Sequence, residues 1–198
     1  MKAGTVTVRR TMEPLSGNVA FTSYLGLLIG LASITMLFVT LLISYSILRI
    51  QADYWFVPGK GSVSMILAIM NTFILLISSV TWMVASRKAK SGKTETFRKW
   101  TLITLILGII FLVSQVTLWQ LLTTKGFTAQ SSIVGSVFYV LTGMHGLHIL
   151  GGLAALVWVF KIEKPDSFIN YHRVKMVGVF WHYLDILWIC LFTAIFII

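Results

Sequence analysis

Three histidines and one aspartate are the residues of this sequence whose types and spacing could do chemistry. His145 and His148 are three residues apart in one long apolar stretch, and His182 and Asp185 are three apart in another. Ionisable groups are costly in an apolar environment, so each is a candidate functional residue. Residues three apart share one face of a helix. Each stretch, as a helix, therefore presents a two-residue polar patch, and the two helices are expected to form an antiparallel pair in which the patches meet.

Three imidazoles and one carboxylate are sufficient to bind a metal ion in a four-coordinate site. The alternative is a hydrogen-bonded cluster that holds the two helices together, with Asp185 as the partner of a histidine. A haem with two histidine ligands needs one imidazole on each face of the ring. Since His145 and His148 lie on one helix face, only His182 could pair with one of them. The pattern favours the structural cluster, with no catalytic residue, cofactor or metal in this chain.

The sequence offers little further support for chemistry of its own. It lacks the motifs of intramembrane zinc proteases, of covalently attached haem and of phosphate-binding loops. It also shows neither interrupted helices nor duplicated halves, which are typical of transporters. A self-contained membrane cytochrome or metalloprotein built on the four residues remains the main alternative, and a small transporter is a third.

The composition indicates what must position these residues. The chain has 198 residues, of which 57% are hydrophobic and 11% are charged, whereas soluble domains are about 25% charged. A soluble enzyme, a disordered chain and a secreted scaffold are therefore excluded. Five stretches without acidic or basic residues, the fifth interrupted only by Asp185, are long enough to cross a membrane as helices. We predict an all-α polytopic membrane bundle, one domain over 1–198, with five transmembrane helices near 22–48, 63–85, 100–122, 133–160 and 176–197.

The distribution of Lys and Arg predicts the orientation of the five helices. Thirteen of the sixteen lie in the N-terminal segment and in the loops after the second and fourth helices. The other three are Arg49, Lys60 and Lys125, on the opposite side. Excess positive charge marks the cytoplasmic side. We therefore expect a basic cytoplasmic segment at 1–20 and an external C-terminus, and no role in binding nucleic acid despite the net charge of +10.

Small residues mark candidate packing surfaces. Gly26 and Gly30 are four apart in the first helix, and Gly143 and Gly146 begin a series in the fourth that continues to Gly151 and Gly152. Because lipid provides no hydrophobic drive for helix association, small residues promote it by allowing close backbone approach. We expect these glycines to pack helices together, although glycine is also frequent in membrane helices generally.

Arg49 directly follows the first apolar helix at its predicted outer end. A guanidinium group there can make bidentate hydrogen bonds to a phosphate, so Arg49 is our candidate for contact with a phospholipid headgroup. The alternative is an interfacial arginine that only extends its charge toward water.

Two stretches of the sequence resemble subunit III of the haem-copper oxidases. Residues 136–152, S-V-F-Y-V-L-T-G-M-H-G-L-H-I-L-G-G, are similar to the family pattern S-x-F-(F/Y)-x-x-T-G-x-H-G-x-H-V-x-x-G. Residues 180–192, F-W-H-Y-L-D-I-L-W-I-C-L-F, are similar to W-(H)-F-(V)-D-x-x-W-x-x-L-F. Weaker similarity continues back to about residue 20. The five predicted helices resemble the shorter bacterial form of this subunit.

This resemblance implies a non-catalytic, multi-pass subunit of a terminal oxidase in the bacterial cytoplasmic membrane. Such oxidases reduce oxygen to water and pump protons in aerobic respiration. The family's subunit III packs on subunit I and binds phospholipid, while haem and copper are held by the partner subunits. Subunits I and II are the implied partners; a subunit IV, a respiratory supercomplex and the choice of cytochrome c or quinol as electron donor are left open.

The sequence departs from the family pattern at positions linked to proton uptake. Ile34 and Leu118 stand where the family usually has glutamates, and Met83-Val84-Ala85 replace a double histidine after the second-helix tryptophan. A direct role of this chain in proton handling is therefore not expected from the resemblance.

Overall fold

The computed structural model describes residues 17–51, 63–130, 133–162 and 170–197, and the side chains of these residues except for 17–20 and 197. All regular structure in these ranges is helical. The elements are α1 (Gly17–Gln51), α2 (Val63–Lys90), α3 (Thr94–Thr124), α4 (Ile133–Ile162) and α5 (Tyr171–Phe192), which continues as a π-helical turn (Thr193–Ile197). The predicted basic segment 1–20 lies outside the described residues apart from the beginning of α1.

The prediction of five helices is confirmed, and each is long and apolar enough to cross a membrane. The predicted bounds were too narrow at several ends. α2 continues to Lys90 rather than ending at 85, and α3 begins at Thr94 rather than at 100. The charged residues that ended the predicted spans do not end the helices, because a helix can continue beyond the hydrocarbon layer where its charged side chains reach water.

The turn between α2 and α3 is set by a glycine. Gly92 has φ of 68°, a left-handed conformation that glycine adopts without strain. Its N–H donates to the Ala89 carbonyl, and the Lys93 N–H donates to the Lys88 carbonyl. This Schellman motif satisfies the last carbonyls of α2 and reverses the chain, so that α3 runs back along α2. Gly126, with φ of 80°, ends α3 with the same pattern of bonds.

The buried residues of α2 and α3 recur at alternating spacings of four and three. In α2 they include Ser64, Ala68, Asn71, Leu75, Ser78, Trp82, Ala85 and Ala89. In α3 they include Phe97, Thr101, Thr104, Gly108, Phe111, Gln115, Leu118 and Leu122. A seven-residue repeat of buried positions is typical of helices packed in a left-handed supercoil. The two helices therefore form a closely packed antiparallel hairpin.

The other helices complete the bundle around this hairpin. α5 packs against α2, α4 and α1, and α3 packs against α2 and α4. α1 lies at the periphery, because only 6% of its most apolar window is buried, compared with 50% for α5. The buried side chains form two clusters. One is centred on Trp82, Phe111 and Trp181, and the other on Phe38, Leu118 and Phe138.

The closest contacts between helices occur at three glycines, of which only one was predicted to pack helices. A Cβ atom on Gly178 would lie 2.6 Å from Nε1 of Trp82, and one on Gly152 would lie 3.0 Å from the Trp181 ring. At Gly108 it would lie 2.7 Å from Leu153. Gly152 was among the predicted packing residues, whereas Gly108 and Gly178 were not.

Gly26, Gly30, Gly143 and Gly146 make no close contact with a described neighbouring helix of this chain, so their role in helix packing stays a prediction. Among the described residues, a Cβ atom on Gly26, Gly30 or Gly146 would meet no atom within 4 Å, and one on Gly143 would meet only the Trp119 ring at 3.9 Å. Gly26 and Gly30 lie on an exposed face of α1, whereas Gly143 and Gly146 face α3 without closely approaching it. The spacing of glycines along a helix does not reveal which face another helix covers.

Candidate functional site

His182 and Asp185 of α5 form a polar group with Ser79 of α2. His182 Nδ1 lies 2.6 Å from Ser79 Oγ, within hydrogen-bond distance, and 3.9 Å from Asp185 Oδ2. The Ser79 hydroxyl also lies beside the carboxyl group of Asp185. The exposed fraction is 34% for the His182 side chain and 5% for that of Asp185. His182 is thus the histidine nearest to Asp185 and lies on the same helix, but neither carboxyl oxygen of Asp185 has a hydrogen-bond partner among the described residues. The expected hydrogen bond between Asp185 and a histidine therefore stays a prediction.

His145 lies in a different environment, enclosed by aromatic rings. Its ring stacks on Trp188 with centroids 5.2 Å apart and is met edge-on by Phe38 and Phe111. The residue is fully buried, and neither ring nitrogen has a hydrogen-bond partner in the described part of the chain. His145 therefore contributes through the shape and stacking of its ring.

His148, one turn further along α4, bonds to its own helix. Its Nδ1 lies 2.7 Å from the Met144 carbonyl oxygen, and its ring meets the edge of Phe38 at 5.5 Å. In the part of the chain that the structure describes, no hydrogen bond or ion pair joins His145 or His148 to His182 or Asp185. The prediction of one four-residue cluster is therefore wrong, because the aromatic ring of Trp188 packs against His145 where the α5 patch was expected.

A shared metal site on these residues is not formed either. In ranges 17–51, 63–130, 133–162 and 170–197, no three His, Cys, Asp or Glu side chains lie close enough together to hold one ion. The metalloprotein alternative required His145, His148, His182 and Asp185 to converge, and the helices place them in separate surroundings.

Several polar residues that link helices were missed because they are not ionisable. Asn71 Nδ2 donates to Gln115 Oε1 at 3.1 Å, joining α2 to α3. The Trp188 indole N–H donates to Thr72 Oγ1 at 3.1 Å, joining α5 to α2. Amide and hydroxyl side chains recurring at spacings of three and four inside an apolar run are the signal that could have identified the buried face.

α1 is tied to α5 by one polar contact. The hydroxyls of Thr35 and Tyr183 lie 2.8 Å apart, and the Thr35 hydroxyl also donates to the Leu31 carbonyl of its own helix. Tyr183 follows His182 directly, so His182 is flanked by α2 on one side and by the contact with α1 on the other.

Ile34 and Leu118, which stand where the resemblance implies glutamates, fill apolar space. Leu118 is fully buried in the cluster around Phe38, and Ile34 packs against the same cluster. The two positions therefore contribute to helix packing, and neither supplies an acidic group.

The Gly143 and Gly146 faces line a groove between α3 and α4. The groove has a volume of about 630 Å³ and is bordered mainly by apolar side chains, with Thr117 and Gln120 among the exceptions. The missing glycine side chains leave this space open. Arg49, the predicted headgroup residue, lies half-buried in the last turn of α1.

Taken together, Ser79, Asn71, Thr72 and Thr35 make hydrogen bonds to side chains of other helices, while the buried polar atoms of His145 and Asp185 have no partner among the described residues. Such bonds hold membrane helices in register, at about 0.6–2 kcal/mol for each interhelical pair. The buried aromatic rings fix the depth and rotation of α4 and α5 relative to each other.

Comparison with known proteins places the whole bundle in one family. A sequence model described as cytochrome c oxidase subunit III matches residues 18–198. A probable cytochrome c oxidase subunit 3 of Nocardia farcinica is 35% identical over 175 residues, covering 87% of this chain and 86% of the relative. A cytochrome c oxidase subunit 3 of Thermostichus vulcanus is 33% identical, covering 88% and 86%. A cytochrome bo(3) ubiquinol oxidase subunit 3 of Pseudomonas aeruginosa is 32% identical, covering 70% and 68%.

Proposed function

Because the chain belongs to the cytochrome c oxidase subunit III family, we propose that it is the non-catalytic subunit III of a bacterial haem-copper terminal oxidase. In this role it packs on subunit I in the cytoplasmic membrane and supports aerobic electron transport and proton pumping by the complex. The observation that carries the proposal is the family match, which extends from the first turn of α1 to the C-terminal residue.

The surface of the bundle supports a place within a larger membrane complex. Large hydrophobic side chains are exposed along all five helices, and α1 is covered by its neighbours over very little of its length. An extensive apolar exterior marks a surface that faces lipid or another membrane protein. The chain thus has the area needed to contact subunits I and II as well as lipid.

The chemistry of the complex is proposed to reside in the partner subunits, which hold haem and copper. In this chain, His145 is surrounded by rings and His182 is bonded to Ser79, an arrangement suited to helix packing. Ile34 and Leu118 are embedded in an apolar cluster, so support of proton pumping is proposed to act through subunit I rather than through acidic groups at these two positions.

Phospholipid binding is the second part of the proposal. The groove between α3 and α4 is apolar and opens at the membrane-facing surface, which suits an acyl chain. Separately, Arg49 lies at a helix end, where a guanidinium group can bond to a headgroup phosphate.

The experiment is purification of the oxidase through an affinity tag on this chain, in mild detergent. We expect haem-containing subunit I and subunit II to co-purify and the preparation to consume oxygen. The chain is then separated from the complex, and its visible absorption and metal content are measured.

The separated chain is expected to carry neither haem nor stoichiometric metal. Haem absorption or bound zinc in the separated chain would favour the metalloprotein alternative and contradict the proposal. Recovery of the tagged chain without any haem protein would contradict its place in an oxidase.

A further inference from the structure

One face of α5 is not covered by the other helices of the chain. It consists of Val179, His182, Ile186, Ile189 and Cys190, which are half-exposed or exposed and recur at helical spacing. We refer to these five residues as the outer α5 face. It is bordered by Ser79 of α2 on one side and by Tyr183, bonded to Thr35 of α1, on the other.

The outer α5 face carries an unsatisfied polar atom within the predicted membrane span. His182 lies in the first half of the predicted span 176–197, seven residues beyond Lys175. Its Nδ1 lies within hydrogen-bond distance of Ser79 Oγ, whereas its Nε2 makes no hydrogen bond with the described residues. Because a neutral imidazole has one donor and one acceptor nitrogen, Nε2 needs a partner in either tautomer.

Lipid chains cannot supply that partner. A polar group without a hydrogen bond in hydrocarbon costs several kcal/mol, and ionisable groups inside membranes almost always face protein or a water-filled cavity. The exposed Ser and Thr residues of α1 differ in this respect, because hydroxyls such as those of Ser33, Thr40 and Ser44 bond to carbonyls of their own helix.

The outward face of α3 provides the contrast. Its exposed residues from 102 to 116 are all apolar: Leu102, Ile103, Ile106, Ile109, Ile110, Val113 and Val116. This is the composition expected of a helix that faces acyl chains. The bundle therefore has one outward face suited to lipid and another that combines apolar side chains with an imidazole requiring a hydrogen bond.

We propose that the outer α5 face docks against a transmembrane helix of a partner oxidase subunit, and that this helix presents a polar side chain to Nε2 of His182. The apolar residues Ile186 and Ile189 supply the packing surface, and the polar pair fixes the depth and rotation of the partner helix. The inference rests on the proposed function in that it assumes an oxidase complex, and it identifies the face that joins this chain to it.

The experiment places the photoreactive residue benzoylphenylalanine at Ile186, and at Val113 as the matched control, in the tagged chain expressed with the whole oxidase. The two positions are exposed to almost the same extent, 62% and 61%. The complex is irradiated in native membranes, purified through the tag and analysed by mass spectrometry.

We expect the Ile186 probe to form adducts with a transmembrane helix of another oxidase subunit, and the Val113 probe to form adducts with lipid. The bulk of the probe at Ile186 could by itself prevent the other oxidase subunits from co-purifying with the tagged chain. If this happens at Ile186 and not at Val113, with the two variants present in equal amounts, the docking face is also supported. Lipid adducts at Ile186, or adducts with a second copy of this chain, would overturn the inference. Failure of the unmodified chain to co-purify with haem-containing subunits would instead contradict the proposed function.

A second set of variants tests the hydrogen bond itself. His182→Leu is expected to raise the apparent dissociation constant of the chain from the detergent-solubilised oxidase about three- to thirtyfold, which corresponds to the loss of one interhelical polar pair. His182→Gln, which keeps a polar group, should restore much of the affinity. Thr117→Leu is the control, because the Thr117 hydroxyl is exposed on α3 and bonds to its own helix. Equal affinity of His182→Leu and the unmodified chain would show that Nε2 has no partner.

Discussion

His145 is held by rings rather than by hydrogen bonds, so the shape of its side chain is the property that matters there. Trp188 stacks on it, while Phe38 and Phe111 meet it edge-on. Such aromatic contacts contribute about 0.5–1.5 kcal/mol beyond the area that they bury. A buried nitrogen without a partner, by contrast, disfavours the folded state.

We therefore predict that His145→Phe leaves the chain at least as stable as the original and able to assemble. His145→Ala is expected to lower the free energy of unfolding by about 2–4 kcal/mol, because it leaves a cavity among the three rings. The measurement is the unfolding midpoint in a graded titration of detergent micelles with sodium dodecyl sulfate. Loss of oxygen consumption in a fully assembled His145→Phe complex would contradict a packing role.

The residue scale also shows what the sequence could predict. That His182 and Asp185 share one helix face follows from their spacing, and His182 Nδ1 lies 3.9 Å from Asp185 Oδ2. The separation of His145 from that pair could not be predicted, since the depth and rotation of two antiparallel helices depend on which bulky residues fill the space between them. Here Trp188 occupies that space, and Ser79, a third helix's residue, takes the place of the expected partner.

At the scale of helices, the buried face of α2 contains many small and polar residues, whereas its exposed face contains large apolar ones. α2 buries Ser64, Ala68, Asn71, Ser78 and Ala85, while its exposed residues include Ile66, Phe73 and Ile77. In a membrane, the face of a helix that meets lipid and the face that meets other helices both lie in apolar surroundings. The periodicity of hydrophobic residues therefore does not identify the buried face. The number of helices was predictable from length and charge, but the packing face had to be sought in small and polar residues.

Gly178 illustrates this limit and yields a prediction. A methyl group at this position would lie 2.6 Å from the indole nitrogen of Trp82, so α5 would have to move away from α2. Gly178→Ala is expected to lower the free energy of unfolding by about 1–3 kcal/mol, as overpacking does elsewhere. Gly26→Ala is the matched control, since nothing lies within 4 Å there, and it should be neutral or stabilising by up to about 1 kcal/mol. Equal midpoints of unfolding for the two variants would contradict the close contact.

The α2–α3 turn gives a second prediction at this scale. Gly92 has φ of 68°, which is unfavourable for a side chain with Cβ by about 1–2 kcal/mol. Gly92→Ala should therefore lower the free energy of unfolding by about 1 kcal/mol, and Gly92→Asn should lower it less because asparagine tolerates this conformation better. The same titration measures both, and a loss that is larger for Asn than for Ala would be inconsistent with the backbone explanation.

At the scale of the whole molecule, the basic residues gather at one end of the bundle. Arg98, near the start of α3, donates from Nη1 to the Phe160 carbonyl at the end of α4, with its guanidinium 4.1 Å from the Phe160 ring. Arg173, at the start of α5, lies 5.5 Å from the Trp158 ring. The α2–α3 turn, the end of α4 and the start of α5 therefore share one end, as the alternation of charge along the sequence predicted.

Which side of the membrane this end faces is a prediction of the charge distribution. Basic segments close to transmembrane helices are retained in the cytoplasm. Four basic residues lie in or next to the α2–α3 turn: Arg87, Lys88, Lys90 and Lys93. We expect a green fluorescent protein fused after Ile198 to be dark and alkaline phosphatase fused there to be active, since the first folds only in the cytoplasm and the second only outside it. Fusions truncated after Gly92 should give the opposite pair of results and serve as the internal control. Fluorescence after Ile198 would place the C-terminus in the cytoplasm, on the side opposite to that expected from the charge distribution, and would overturn the predicted orientation.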